Sequence, residues 1–236
     1  MVVLRVHVSK WRLTIFAAMN CKNCNKSDCI KRGVRNGKQR YHCRNCLSYF
    51  QSEYRYKAYE ARTNKMIAIL LKESCGIRSI SRILSISKNT VLSRILCLSR
   101  KIKAPNFEKF GCKFEIDEIW SFVGRKDQVT WITYAIERET KSVIDFFVGR
   151  KTKDNIKPLI DKVLMLKPAR IYTDRLNIYP SLIPKELHKR FKYCTNIIER
   201  NNLTLRTHIK RLSRKTICFS KNRKYLEAHL RIYFWG

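Results

Sequence analysis

Acidic residues are scarce in this chain. It has 18 Asp and Glu against 51 Lys and Arg in 236 residues, which gives a formal net charge of +33. So much positive charge attracts a polyanion, and nucleic acid is the commonest polyanion in a cell. We therefore expect a nucleic-acid-binding protein, the alternative being a ribosomal-type or merely cationic soluble protein. Hydrophobic residues make up 44% of the chain, which is enough for a buried core and excludes a disordered basic tail.

Long apolar runs, internal repeats and low-complexity tracts are missing as well. No apolar run approaches the length that a bilayer span requires, so we expect no membrane partner. Residues 1–18 loosely resemble a signal peptide, but Arg5, Lys10 and Arg12 interrupt the apolar stretch, and we expect no secretion. We treat residues 1–18 as a leader of uncertain status, because translation can start either at Met1 or at Met19.

Two Cys-x-x-Cys pairs stand eighteen residues apart near the start of the chain. This spacing is typical of a four-cysteine zinc site in a reducing compartment, where each pair forms a tight knuckle around one tetrahedral ion. A reduced dithiol with a redox role is the alternative. The predicted zinc ligands are Cys21, Cys24, Cys43 and Cys46.

Between the two pairs, Asn36-Gly37 predicts a hairpin turn. Two knuckles and a hairpin make a zinc ribbon, which we assign to residues 19–52. Cys29 and His42 lack the paired spacing, so we leave both outside the ligand set. A unit this small cannot bury enough apolar surface alone, and we expect the metal to supply its folding energy.

Residues 60–103 have a helical pattern, with predicted helices over 64–73, 79–84 and 88–101. A three-residue turn, 85–87, separates the last two, and Ser87 can cap the helix that follows. This arrangement predicts a helix-turn-helix, although a helical hairpin in an ordinary core is the alternative. We expect an outward, DNA-reading face formed by Lys88, Asn89, Thr90, Ser93 and Arg94.

Residues 104–112 contain Pro105 and Gly111 and are predicted to be a linker. The remaining residues, 113–236, alternate between strand and helix patterns, which predicts an α/β domain. We expect strands over 113–123, 130–137, 142–149 and 170–173, and helices over 154–166 and 195–212. The tail is basic and aromatic.

Three acids in this last segment differ from plain surface charges. Asp117 lies inside an apolar strand, Asp174 ends another strand, and Glu199 comes early in a helix. This order suits a mixed-sheet RNase H-like fold, in which three such carboxylates meet at one edge of the sheet and hold two Mg²⁺ ions. Alternatively, Asp174 is a turn or capping residue, and Glu199 forms a surface ion pair with Arg200 or Lys192.

The choice between Asp117 and Glu118 stays open at this level. Neighbouring strand residues point to opposite faces, and Glu118 is in phase with the apolar positions of its strand. One acid of this pair must therefore be buried, and the pattern does not say which of them belongs to the site.

Several segments resemble the IS1-family insertion-sequence transposases, over nearly the whole chain from Met19. Residues 33–43 resemble the family's zinc finger, residues 116–124 its first catalytic motif and residues 172–179 its second. The most specific match is to the third motif, in residues 198–208 with 214–220. Residues 1–18 have no counterpart in the family.

The resemblance implies a DDE triad of Asp117, Asp174 and Glu199, with Mg²⁺ or Mn²⁺ as the cofactor, and it selects Asp117 over Glu118. Arg206 follows Glu199 by seven residues, two turns along one helix face, which matches a basic residue that such enzymes place on a terminal phosphate. His208 and Lys210 are further phosphate-contact candidates.

The function that we predict is that of a DNA transposase which binds double-stranded DNA at terminal inverted repeats, cleaves a strand at each end and joins it to target DNA. Pairing two ends implies a homo-oligomer. We expect it in the cytoplasm of a bacterial or archaeal cell, on the nucleoid. The rivals are a zinc-ribbon transcriptional regulator with a degenerate enzyme domain and a nuclease that cuts without joining.

Overall fold

A computed structural model describes residues 19–51, 58, 60–107 and 109–236 of the chain. The leader predicted at 1–18 lies outside the described residues. The chain divides into two compact units, residues 1–56 and 57–236, and each is described by itself. The finer domain boundaries given above stay predictions.

The first unit contains a small antiparallel sheet in the order β1-β2-β3. Strands β1 and β2 are joined at Asn36-Gly37, where both residues have positive φ angles of 52° and 72°. This conformation is that of a type I′ hairpin turn, which Asn-Gly adopts at low cost, so the predicted hairpin is confirmed. The strands are β1 (Cys29–Arg35), β2 (Lys38–Cys43) and β3 (Tyr49–Gln51).

The second unit begins with three packed helices, α1 (Ala61–Lys72), α2 (Ile77–Leu84) and α3 (Lys88–Lys101). The bounds of α3 are those predicted, and the Ser87 side chain accepts a hydrogen bond from the Thr90 backbone N–H, as expected of its cap. Helices α1 and α2 begin a few residues earlier than predicted. Their shared core includes Ile67, Ile80, Val91 and Ile95.

A five-stranded mixed sheet forms the centre of the second unit, in the order β6-β5-β4-β7-β8. Strand β5 runs antiparallel to β4 and β6, whereas β4, β7 and β8 are mutually parallel neighbours. The predicted α/β class is confirmed. The strands are β4 (Lys113–Phe122), β5 (Val129–Glu137), β6 (Val143–Gly149), β7 (Arg170–Thr173) and β8 (His188–Lys189).

Helices cover both faces of this sheet, because alternate residues of β4 face opposite sides. Phe114 and Ile116 pack with helix α4 (Lys153–Met165) on one face. Ile119 packs on the other face with α5 (Asn196–His208) and α6 (Arg223–Trp235). The result is a three-layer arrangement of helix, sheet and helix, in which helices cover the faces of the sheet and a site can form at the ends of the strands.

The end of the chain differs from the sequence-based expectation. The predicted helix over 195–212 is wrong at its end, because Ile209 adopts an extended conformation and only a short 3₁₀ turn, Lys210–Leu212, follows. Helix α6 was not predicted at all. Its Leu226 and Leu230 face the sheet, whereas Ala228 and Ile232 face the α1–α3 core. A helix that is buried on two sides lacks the single apolar stripe of a surface helix, so its sequence does not show the helical periodicity on which the prediction depends.

None of the helices in the described part of the chain is both long enough and apolar enough to cross a membrane.

Candidate active site and metal centres

The parallel pairing of β4 with β7 brings two predicted site residues together. Its register places Ile116 opposite Thr173, so Asp117 and Asp174 follow directly on neighbouring strands. Asp174 lies just past the end of β7, where its carboxylate accepts the Leu176 backbone N–H at 2.9 Å. Two acids far apart in the chain therefore lie close together because of strand register.

A third carboxylate, that of Glu118, joins this pair. Asp117, Glu118 and Asp174 each offer an oxygen atom, and these atoms all lie within 4.8 Å of one another. Glu118 points to the face opposite Asp117 and accepts a hydrogen bond from the buried Tyr179 hydroxyl. The sequence pattern indicated a buried acid here but did not indicate that it would stand beside Asp174.

Asp117 is oriented by a relay of side chains from β5 and α5. Its Oδ2 accepts a hydrogen bond from Asn202 Nδ2 at 2.6 Å, and Asn202 Oδ1 accepts one from the Tyr134 hydroxyl at 2.7 Å. Tyr134 is fully buried, so its side chain is held by packing and it fixes the position of the Asn202 amide. Sequence reasoning gave neither residue a role, although Asn202 follows Glu199 by three positions and shares its helix face.

The electrostatics of the cluster favour protons or metal cations. Burial raises the pKa of Asp117 to about 6, and the charges of Asp174 and Glu199 act in the same direction against hydrogen bonds from the Glu118 N–H and Asn202. Burial also raises the pKa of Glu118 to about 7, and both aspartates add to this effect. Crowded carboxylates of this kind are costly to ionise without a counter-charge.

Glu199 lies in the first turn of α5 but outside the 4.8 Å group. Its carboxylate accepts a hydrogen bond from the Thr195 hydroxyl at 3.0 Å. It is nevertheless near enough for its charge to raise the pKa of Asp117. The structure thus brings Asp117 and Asp174 into contact range and places Glu199 at the margin of the same site.

The start of α5 is tied to β4 by a buried carboxylate that sequence reasoning missed. Glu115 is fully buried and accepts the Ile198 backbone N–H at 2.8 Å. Its other oxygen lies 2.8 Å from Arg138 Nε, and the Arg138 guanidinium lies 4.3 Å from the centre of the Tyr172 ring. Because Ile198 directly precedes Glu199, this anchor sets the position of the helix turn that presents Glu199.

The cysteine cluster of the first unit has the geometry of a tetrahedral metal site. All four predicted ligands offer sulfur atoms within 4.8 Å of one another, and the Cys21–Cys46 and Cys24–Cys43 Sγ distances are both 3.6 Å. Zinc with about 2.3 Å bonds to four sulfurs requires S–S separations of about 3.8 Å. Cys29 lies outside this group of four; its thiol donates to the Lys26 carbonyl and also contacts the Cys43 thiol.

Hydrogen bonds prepare some of these thiols for metal binding. The Ser48 hydroxyl lies 3.0 Å from Cys46 Sγ, and together with backbone N–H donation it lowers the pKa of Cys46 to about 5. The Ser48 hydroxyl also lowers the pKa of Cys21. Since the thiolate is the ligand form, the residues present fit a zinc ion.

Most of the predicted DNA-contact residues of α3 are at the surface. Lys88, Asn89 and Ser93 are exposed, whereas Thr90 and Arg94 are half-buried. Helices α2 and α3 are joined by the predicted three-residue turn. The helix-turn-helix and its reading face stay predictions.

The three phosphate-contact candidates after Glu199 have different surroundings. Arg206 is half-buried and donates to the Leu212 carbonyl at 2.9 Å and the Trp120 carbonyl at 3.4 Å. His208 is exposed and hydrogen-bonds the Tyr233 hydroxyl, and Lys210 is exposed. Arg206 thus holds the end of α5 against β4, and the DNA contacts of all three residues stay predictions.

Comparison with known proteins gives a consistent result. The family model for the IS1 transposase matches residues 111–234, which is more than half of the chain. The chain is 40% identical over 118 residues to the insertion element iso-IS1n protein InsB of Shigella dysenteriae, covering 50% of this chain and 88% of that protein. It is 35% identical over 108 residues to the insertion element IS1 protein InsB of Shigella flexneri, covering 46% of this chain and 82% of that protein.

Proposed function

Because the chain belongs to the IS1 transposase family, we propose that it is a DNA transposase which cleaves the ends of its element and joins them to target DNA by two-metal chemistry. The five-stranded mixed sheet with helices on both faces is consistent with an RNase H-like catalytic domain. The proposed catalytic residues are Asp117, Asp174 and Glu199.

One observation supports this function above the others: the chain has a net charge of +33, and yet no salt bridge between described residues involves the acids of the site. Within the described residues, no Lys, Arg or His nitrogen lies within 4.0 Å of Asp117, Glu118, Asp174 or Glu199, whereas other acids such as Asp161 and Glu227 form ion pairs. Converging carboxylates without a cationic side chain beside them favour a bound hard cation, and carboxylate oxygens are the ligands that Mg²⁺ prefers.

Asp117, Asp174 and Glu199 are the residues that would hold Mg²⁺ or Mn²⁺, and such a pair of ions supplies charge stabilisation to both the attacking and the leaving oxygen of an in-line displacement. The chain itself keeps these groups in place. Asn202 fixes the rotation of the Asp117 carboxylate, and the turn that follows β7 fixes Asp174. The Thr195 hydroxyl donates a hydrogen bond to the Glu199 carboxylate at the margin of the site.

The zinc ribbon and the α2–α3 pair are proposed to recognise double-stranded DNA at the terminal inverted repeats. Zn²⁺ bound by Cys21, Cys24, Cys43 and Cys46 stabilises the ribbon, whose hairpin carries several basic residues. Helix α3 presents Lys88, Asn89 and Ser93 at its exposed N-terminal half, the part of a recognition helix that enters the major groove. Pairing of two element ends requires a homo-oligomer.

A strand-transfer assay tests the proposal. An oligonucleotide carrying the terminal repeat is incubated with the full chain, Mg²⁺ and a labelled target duplex, and both the cleaved and the joined products are measured. Asp174→Asn should abolish both products, while the matched change Asp161→Asn, at an exposed ion pair on α4, should leave both unchanged. Binding without cleavage by the unaltered chain would favour the regulator, and cleavage without joining would favour the nuclease.

A second pair of variants tests the identity of the third carboxylate. Glu199→Gln should abolish cleavage, whereas Glu118→Gln should retain most of it, because Glu118 already has Tyr179 as a hydrogen-bond partner. The opposite result would assign the third ligand to Glu118 and leave Asp117 and Asp174 in their roles.

A further inference from the structure

An open groove of about 740 Å³ lies at the end of the sheet where β6 leaves Gly149 and the chain turns towards α4. Its walls include Thr130, Trp131, Arg150, Lys151 and Arg223. None of these residues belongs to the carboxylate site or to the predicted DNA-reading helix.

The groove is close to the carboxylates. Trp131 pairs with Trp120 across the β4–β5 ladder, and Trp120 is two residues from Glu118 and therefore on the same face of β4. Lys151 lies against the Trp131 ring, which pairs with Trp120. A chain of phosphates bound at the carboxylates thus has a route into this groove.

The charge of the groove suits an anion. Its acidic wall residue, Asp127, is paired with Arg125 at 3.0 Å, and Arg223 is paired with Glu227 at 2.7 Å. Arg150 and Lys151 form no salt bridge with any acid among the residues for which the structure gives positions, so their charges are available to a ligand.

Lys151 is also held in place. Its ammonium group lies 3.8 Å from the centre of the Trp131 ring, which is a cation–π contact. Because this contact already restricts the rotamers of the lysine side chain, less conformational entropy is lost when the side chain binds a ligand. A restrained ammonium with a second cation beside it is a phosphate-binding arrangement.

We propose that Lys151, restrained by Trp131 and assisted by Arg150, binds the phosphodiester backbone of the DNA strand that passes through the carboxylate site. The inference rests on the proposed function for the nature of the strand. It adds a binding surface for that strand that is separate from the ribbon and from α3.

The experiment measures DNA affinity of the zinc-loaded full chain as a function of salt, without Mg²⁺ or Mn²⁺, by anisotropy of a labelled duplex. Each lost phosphate contact should reduce the slope of log affinity against log salt by about one. Lys151→Ala should show this reduction and a roughly fivefold to tenfold loss of affinity at physiological salt. Lys151→Arg should retain both values, and Arg150→Ala gives a second, independent variant with the same expected direction.

Lys113→Ala is the matched control, because this exposed lysine stands at the opposite end of β4. The proposal is overturned if Lys151→Ala and Arg150→Ala both keep the slope of the unaltered chain. It is also overturned if Lys151→Ala weakens competition by inorganic pyrophosphate but leaves DNA binding unchanged, which would assign the groove to a free anion. If the variants reduce the slope of log affinity against log salt but neither they nor the unaltered chain cleaves DNA, the groove is still a DNA-binding surface and the proposed function is rejected.

Discussion

Removal of the Glu115 side chain is the most informative perturbation of this fold. Glu115→Ala leaves the Ile198 N–H without an acceptor in a buried place, which costs about 1–3 kcal/mol. It also removes the carboxylate that forms a salt bridge with Arg138. Breaking a fully buried pair costs about 3–5 kcal/mol, but Arg138 is 26% exposed and can regain water, so that figure is an upper bound. We expect a total loss of about 2–4 kcal/mol in the free energy of unfolding.

Glu115→Gln separates the two contributions. The glutamine carbonyl still accepts the Ile198 N–H, but the amide NH₂ cannot accept from Arg138 Nε–H, so Arg138, which is 26% exposed, must turn to water. Because burial raises the pKa of Glu115 despite Arg138 and the Ile198 N–H, the ionised carboxylate gains less from its partners than it loses in hydration. We therefore expect Glu115→Gln to cost about 1 kcal/mol or less.

Urea unfolding followed by far-UV circular dichroism, with zinc present, measures both variants. With a denaturant slope of about 2 kcal/mol per molar, Glu115→Ala should lower the midpoint by about 1–2 M and Glu115→Gln by about 0.5 M or less. Glu139→Ala, at an exposed neighbour of Arg138, serves as the control and should leave the midpoint unchanged. Equal losses in the urea midpoint for the Ala and Gln variants would refute the reasoning. The charge of Glu115, and not its hydrogen bond to the Ile198 N–H, would then account for the stability.

The pH dependence gives an independent check on the sign. A carboxyl group whose folded pKa is raised stabilises the fold below its unfolded pKa, and this contribution is lost as the pH rises through the folded value. Relative to Glu115→Gln, the unaltered chain should therefore be most stable at acid pH and lose that advantage as the pH rises above about 4.5, the ordinary value.

Three further predictions concern the two metal centres. Chelation of zinc should unfold residues 19–51. Cys43→Ser should abolish zinc binding, whereas Cys29→Ser should retain one zinc per chain, as measured by atomic absorption. Loss of zinc from both variants would place Cys29 in the ligand set. Protons compete with metal at Asp117, whose pKa is raised to about 6, so calorimetric Mn²⁺ affinity should rise about fourfold from pH 5.5 to 7.5. A flat profile would contradict a carboxylate site. Asn202→Ala should lower strand cleavage about 10–100-fold by freeing the Asp117 carboxylate. The control is Asn106→Ala, at an exposed residue of the predicted linker, which should keep full cleavage.

Short-range patterns carried most of what was predictable about this fold. The Asn36-Gly37 turn, the Ser87 cap and the bounds of α3 each depend on hydrogen bonds between residues within four positions of one another. The convergence of the four cysteines depends on two local knuckles and one hairpin. Such features follow from local propensity and spacing, and all of them agree with the structure.

The acidic site was predictable only in part. The sequence placed Asp117 in one strand and Asp174 at the end of another, and only the family resemblance chose Asp117 over Glu118. The parallel register of β4 and β7 then brings the two acids together. The position of Glu118 beside Asp174 could not be predicted, since its contact with Tyr179 joins residues 61 positions apart. The same limit applies to Asn202 and Tyr134, which reach Asp117 from a helix and a neighbouring strand.

Taken alone, the sequence predicted the α/β class, the clustering of four cysteines, most of the strands and the acids that we propose as catalytic, because these depend on residue type and on contacts between near neighbours. The tertiary structure decided which carboxylates share a site, that Glu115 anchors α5, and that α6 is a helix buried on two sides. Those outcomes depend on strand register and on packing between distant segments, and a pattern that is read along one chain contains neither.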